Sequence, residues 1–374
     1  MNILFVSEVG ECLGTAMRTQ AEGHPTTLHI EDDLSSRVGD GILPKSSGQK
    51  VMKMNGECIA SSINSLLSTY SPDLVVFDSI GMGKVTDYVR EKKVNVFGSS
   101  RWTDTLSSSS DYVSTILTRA GIDKWNGEKG VEVECGIWWN GITFLFPFIV
   151  WNETRFLTAS LGPNIDSSSH ITSLIPPSSA LLTRGIGKIE KLLKRSKFRG
   201  ILSLRCMVTK TNIYGISFTS SSLFLPSLLE LYKGEVTDLL SSVACGQKPT
   251  GEITGDYVLS LLLSIPPFPF SYPAVNTNEE VEVRGIVDSN LRHLYLIDIQ
   301  KDGSRYVSGS RRGKLMRVNA RGRDVVECKR RVMKTISNLA IDNLQYRVDP
   351  LIQQTESERQ LVSWGYLESR KFKN

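Results

Sequence analysis

The sequence predicts an α/β fold: a parallel sheet in the first hundred residues, then an α+β region, then a small β-rich segment. Three observations carry this expectation. Short, continuous apolar runs alternate with helical stretches over residues 1–100, the pattern of strands buried on both faces. Asn140-Gly141 lies between two alternating stretches, a strong hairpin signal. Pro266-Pro267-Phe268-Pro269 then interrupts the chain ahead of further short alternating segments,. A chain of 374 residues has room for two or three domains at roughly 100–200 residues each. The divisions expected are 1–100, 101–265 and 266–350, with a polar tail at 351–374.

Residues 2–6 form the first apolar run, and Ser7-Glu8-Val9-Gly10 turns the chain into a helical stretch reaching about Ala21. Residues 26–30 read as a second strand, 59–67 as a helix, 73–78 as a buried strand, 85–92 as a helix and 94–98 as a strand. Ligands of such sheets sit beyond the carboxyl ends of the strands. That rule brings Ser7, Glu8, Gly10, Asp78 and Gly98 together as a candidate ligand cleft. Further along, serines at 107–110 cap a helix from about 111 to 120, and 121–130 is a polar loop. Residues 131–150 alternate as two antiparallel strands turning at Trp139-Asn140-Gly141,. Residues 180–194 suit one amphipathic helix, 200–207 and 213–218 a strand pair, and 223–240 helical segments. Strands follow at 281–285, 294–299 and 314–318, and a helix at 324–339.

Composition narrows the function classes. The chain is 40% hydrophobic and 22% charged, which excludes global disorder. Its longest apolar run, 142–151, contains Pro147 and is about half of what a bilayer span needs. The opening residues have no basic region and too short an apolar stretch for a secretion signal. A cytoplasmic protein with no membrane partner is expected. The net charge of +5, from 44 basic and 39 acidic residues, does not demand nucleic acid. Six cysteines without a C-x-x-C pair read as reduced, mostly buried thiols. Four histidines form no H-x-x-x-H or H-E-x-x-H arrangement, so no metal site is expected. A G-x-S-x-G motif is absent as well,.

Two basic stretches stand out. Lys188, Lys191, Lys194, Arg195, Lys197 and Arg199 read as a solvated helix face and its cationic last turn. Arg305, Arg311, Arg312, Lys314, Arg317, Arg321 and Arg323 are the better candidate for an anion or nucleic-acid surface, since alternation places several on one face. The competing reading is an edge strand kept soluble by charge. Trp138, Trp139 and Trp151 suit core packing better than base stacking. Glu132 and Glu134 share a strand face and are candidates for a metal or nucleotide contact. Asp32 and Asp33 end the second strand where dinucleotide folds hold a ribose, but the full G-x-G-x-x-G is missing,.

Taken in order, these segments resemble glycinamide ribonucleotide synthetase (phosphoribosylamine–glycine ligase) of the ATP-grasp superfamily. Residues 2–10 are similar to that family's opening strand and glycine-rich turn. Residues 73–77 and Val94-Asn95-Val96-Phe97-Gly98 match its D-L-V-V and V-F-G-P strands. Leu161-Gly162-Pro163-Asn164 matches the start of its G-P-N-T-G-G-M-G loop, which adds Gly162, Pro163, Asn164 and His170 to the candidate cleft. Gly200-Ile201-Leu202 and Ile216-Ser217-Phe218-Thr219 align with its G-x-L and I-E-F-N strands. Residues 308–313 and Gln345-Tyr346-Arg347-Val348-Asp349 are similar to its G-G-R-V-L and Q-Y-R-x-D-I-G ending. The resemblance spans about residues 1–350. It implies a Rossmann-like N-terminal sheet, an ATP-grasp-like α+β unit and a small β-rich C-terminal unit.

The departures from that family are chemical. Its mobile lobe carries a phosphate-contacting lysine, whereas here only residues 121–130 separate the helix from the next strand. Ser217 and Thr219 stand where the family's glutamate and asparagine ligate magnesium, and Ser221 where an arginine is expected. Magnesium prefers anionic oxygen ligands, and phosphoryl transfer needs cations against the developing charge. Ile165-Asp166-Ser167-Ser168-Ser169-His170 replaces glycines of the phosphate-side loop, and Glu8 puts a carboxylate where a phosphate would lie,. The expectation is a reduced, catalytically degenerate relative acting as a binding or assembly module, with no cofactor. Such a reduction suits a viral or accessory copy. Its expected partners are a protein or a second copy of the chain, and a small anionic ligand. The rivals are a repurposed ligase or transferase of purine nucleotide metabolism or nucleic-acid modification, and an interaction protein exposing Trp138, Trp139 and residues 144–151.

Overall fold

The computed structural model describes residues 1–220, 222–270, 280–350 and 354–369. The N-terminal sheet is built from β1 (Ile3–Ser7), β2 (Thr26–Ile30), β3 (Leu74–Phe77) and β4 (Asn95–Phe97), all parallel, in the order β2-β1-β3-β4. Helices α1 (Leu13–Ala21), α2 (Ala60–Tyr70) and α3 (Gly83–Glu91) connect them. Strand alternation divides the core. Leu4, Val6, Val75 and Phe77 pack with Ile63 and Leu66 of α2 and Val85 and Val89 of α3. Ile3, Phe5, Leu74 and Val76 face the other way, into the core that holds Leu13 and Ala16 of α1. Both faces of the sheet are therefore covered, as its continuous apolar strands demand.

Two helices follow, α4 (Arg101–Ser108) and α5 (Ser110–Ala120). The first is absent from the sequence expectation, although Ser100 and Thr103 close a reciprocal capping box at its start,. Ser109 caps α5, and Gly121 ends it in the left-handed region at φ 66°,. The chain then passes through β5 (Asp123–Lys124) directly to β6 (Val131–Trp139), so no separate lobe is inserted between them.

The large sheet takes its strands from the middle and the end of the chain. Long strands β7 (Phe144–Leu157) and β8 (Leu161–Leu174) follow β6, then come α6 (Ala180–Arg184), α7 (Glu190–Leu193), β9 (Gly200–Val208) and β10 (Ile213–Thr219). Next are α8 (Leu225–Leu231), the short β11 (Tyr232–Lys233), α9 (Val236–Cys245), β12 (Glu252–Ile253) and β13 (Tyr257–Ser264). The remaining elements are β14 (Glu282–Arg284), α10 (Asp288–Leu291), β15 (Leu294–Leu296), β16 (Ile299–Asp302), β17 (Arg305–Ser308), β18 (Lys314–Gly322), α11 (Val325–Ser337), β19 (Ala340–Ile341) and α12 (Gln354–Ser363). The sheet order is β15-β18-β13-β8-β7-β6-β9-β10-β5, and β16-β17-β14-β19 form a small sheet. Strand β18 pairs antiparallel with β13 along its length, which ties the C-terminal segment into the same sheet as the middle region.

The hairpin at Asn140-Gly141 forms as expected, with Trp139 opposite Phe144. The single helix expected over 180–194 is instead broken at Gly185, where an added Cβ would meet the Leu181 carbonyl at 2.5 Å. Residues 161–170, expected as a loop, are strand. Trp138, Trp139 and Trp151 are all buried, so the reading that exposes them to a partner does not hold. Among the described residues, no helix is long and apolar enough to cross a membrane.

Candidate functional site

A cleft of about 600 Å³ opens between the carboxyl ends of β1 and β3 and the face of the large sheet. From the parallel sheet come Glu8, Glu11 and Asp78. The large sheet contributes alternate residues of neighbouring strands: Glu132 and Glu134 from β6, Asn152 and Thr154 from β7, Asn164 and Asp166 from β8, Ser217 and Thr219 from β10. A period of two is what directs each pair to one face. Arg205 and Lys314 supply its two cationic side chains.

Asp78 is buried at the end of β3. It accepts hydrogen bonds from the Ser7 hydroxyl, the Cys12 N–H (2.8 Å) and the Ser79 hydroxyl (2.6 Å). Burial outweighs these donors, and its carboxyl is pushed up to about 6,. Glu134 is also raised by burial, although the Ser203 hydroxyl (2.8 Å) and the Asn152 amide (3.3 Å) both donate to it. Arg205 pairs with Glu132 at 2.5 Å, and Lys314 pairs with Glu11. Six carboxylates thus meet two cations, each already held by one of them.

Of the residues expected in the cleft, Glu8, Asp78 and Asn164 line it, and so do Ser217 and Thr219. The others lie elsewhere for identifiable reasons. Ser7 is buried behind Asp78, where its hydroxyl accepts the Gly10 N–H at 2.7 Å. Gly10 packs against two other segments of the same chain: a Cβ there would fall 2.5 Å from Val38 and 2.7 Å from the Ile297 carbonyl. Gly98 docks on another segment, donating its N–H to the Arg199 carbonyl at 3.0 Å. Gly162 and Pro163 sit near the tip of the β7–β8 hairpin, where the Gly162 carbonyl accepts from Arg155.

His170, expected in a solvated loop, is 0% exposed. It bonds Ser167 (3.0 Å) and Ser227 (3.1 Å) and sits edge-on to Phe224. Burial and nearby Arg317 hold it well below the usual imidazole range, so it is a neutral core side chain. Ser221 lies outside the described residues.

The C-terminal arginines do not form one surface. Arg317 is 1% exposed and donates to the Ser167 carbonyl at 2.8 Å. Arg305 pairs with Asp302, Arg312 with Asp32, and Arg311 is also engaged. The cause is topological: Arg305 belongs to the small sheet, whereas Arg317 belongs to the large one. The ion pair to Arg312 also places Asp32 outside the cleft. Sequence reasoning missed Glu11, Asn152, Thr154 and Arg205. The polar run Asn152-Glu153-Thr154-Arg155 that follows the apolar first half of β7 is the signal that would have found two of them, because alternation puts 152 and 154 on one face,.

The ATP-grasp chemistry implied by the resemblance needs magnesium and a triphosphate, and the residues present do not fit them. Ser217 and Thr219 offer neutral hydroxyls. Among the described residues, no three His, Cys, Asp or Glu side chains converge in a metal-holding group. Among the described residues, the cleft also has no cation free of a carboxylate to receive phosphate oxygens.

No protein-family model and no curated protein matches the chain by sequence. Solved structures do resemble it. Phosphoribosylamine–glycine ligase from Thermotoga maritima superposes with a TM-score of 0.66 at 12% identity, covering 93% of this chain and 99% of that one. Urea carboxylase from Kluyveromyces lactis gives 0.64 at 10% identity, covering 98% of this chain and 32% of the other. The biotin carboxylase subunit of pyruvate carboxylase gives 0.61 at 10% identity, with 95% and 98% covered. At these identities the likeness shows the fold: an α/β architecture of the ATP-grasp type with an N-terminal parallel sheet.

Proposed function

We propose that this chain keeps the fold of an ATP-grasp ligase as a binding or assembly module and does not carry out ATP-dependent ligation. The observation that carries this reading is the charge of the cleft. Among the described residues, six carboxylates line it, and the two cations that line it are ion-paired to two of them. A triphosphate entering there meets like charge, and at 4 Å each unscreened pair costs about 1 kcal/mol even at the dielectric of water. Hydroxyls at positions 217 and 219 cannot recruit the metal that would offset this repulsion. The short link from α5 to β6, with no lobe to close over a nucleotide, supports the same reading.

The test is turnover. Purified protein incubated with Mg-ATP and candidate amine and carboxylate substrates should release no ADP above a heat-denatured control. Sustained ADP release that survives repeated purification would overturn the proposal and favour a repurposed ligase or transferase. Asp78 is the observation in favour of that second reading. A cleft carboxyl titrating at about 6 is poised to exchange a proton near neutral pH.

A further inference from the structure

A second cavity, of about 350 Å³, shares no lining residue with the cleft. It lies at β4, an edge strand of the parallel sheet, and is closed by the end of α3, the segment 196–199 and Gly141 of the hairpin. Among the described residues, four cationic side chains line it, Arg90, Lys93, Lys197 and Arg199, against one acid, Glu91.

Pairing leaves this cavity with surplus positive charge. Lys197 is matched by Glu91 at 2.9 Å. Arg90 is matched by Asp87 at 3.0 Å and donates to the carbonyls of Ser99 and Gly98. Its Nε is buried and has no partner among the described residues. Arg199 and Lys93 have no carboxylate within ion-pair distance among the described residues. The hydrogen bond made by the Arg199 side chain runs to the Ala244 carbonyl. Burial pushes the Arg90 guanidinium down to about 10 against the opposing pull of Asp87, and the charge of Arg199 adds to the downward shift,.

The arrangement is also fixed in place. Residue 199 is bridged to Gly98 at the sheet edge through the N–H of that glycine. Gly141, at φ +91°, leaves room for the arginine, because a Cβ there would stand 3.0 Å from Arg199 Nε. A guanidinium held in this way offers donors matched to phosphate oxygens. The cavity is at the small end of the range for small-molecule sites.

We propose that this cavity binds the phosphate group of a small phosphorylated molecule, with Arg199 as the principal donor and Lys93 completing the charge match to a dianion. The site is independent of the proposed function of the cleft.

Inorganic phosphate is the probe, titrated into the full chain by calorimetry with ionic strength held constant by sodium chloride, so that screening stays fixed. Saturable binding is expected, weakened about tenfold or more in Arg199→Gln and severalfold in Lys93→Gln. Arg323→Gln, on a remote helix start, should leave it unchanged. Lys93 is exposed and its side chain has no hydrogen bond or ion pair among the described residues, so that variant decides the matter if Arg199→Gln does not fold. Absence of saturable binding in the wild type, or wild-type affinity in the Arg199 and Lys93 variants, overturns the proposal.

Discussion

Asp78 and His170 are both buried, and their displaced titrations oppose one another. The Asp78 carboxyl moves from an ordinary 3.8 up to about 6, chiefly through burial. Between those values the folded chain holds more protons at this site than the unfolded chain, so stability falls as pH rises through the window. The complete shift corresponds to about 3 kcal/mol. Asp78→Asn should therefore remove a downward slope in unfolding free energy between about pH 4 and 6, as measured by urea denaturation at stepped pH. His170 acts in the opposite sense. Its folded form stays neutral while the unfolded chain takes up a proton below its ordinary 6.5, so stability is lost as pH falls below that value. His170→Gln should flatten this acid limb, and an unchanged limb would show that the imidazole charges within the fold. At this scale the sequence was partly legible. Glu8, Asp78 and Asn164 reach the cleft because strand ends and a motif mark them, whereas His170 was misplaced because three preceding serines resemble a loop.

Strands β6, β7 and β8 show why some elements can be read in advance. The β6–β7 hairpin announces itself by Asn140-Gly141 between apolar alternations,. Strand β8 is hidden because its buried polar side chains are satisfied by tertiary partners. Ser169 donates to Glu153 at 2.7 Å, and Thr172 and His170 meet on Ser227. Those partners lie far away in the chain, and local pattern carries no trace of them. Gly136 is a second packing device. It lies opposite Phe148, and a Cβ there would stand 2.2 Å from the aromatic ring. Gly136→Ala should cost about 1–3 kcal/mol by overpacking, read as a lowered denaturation midpoint with unchanged slope. A neutral outcome would mean that the ring has room to move.

At the scale of the molecule, the order of elements was the informative quantity. Parallel strands first, an antiparallel set next and β-rich pairing last were legible because each period of hydrophobicity is local. The return of β18 to β13 was not, since antiparallel pairing over some fifty intervening residues depends on shape rather than on local pattern. The same return brings Lys314 to Glu11 and Arg312 to Asp32, across nearly the whole chain length. That closure sets the charge of the cleft: the cation that enters it from β18 arrives already paired with Glu11.

The central claim is that this cleft, rich in carboxylates and without a free cation among the described residues, does not receive a nucleoside triphosphate. Calorimetric titration with Mg-ATP at near-physiological salt tests it most directly. No saturable heat is expected into the millimolar range, for the wild type and for Glu134→Gln alike. Micromolar binding, abolished by Arg205→Ala or Lys314→Ala, would contradict it.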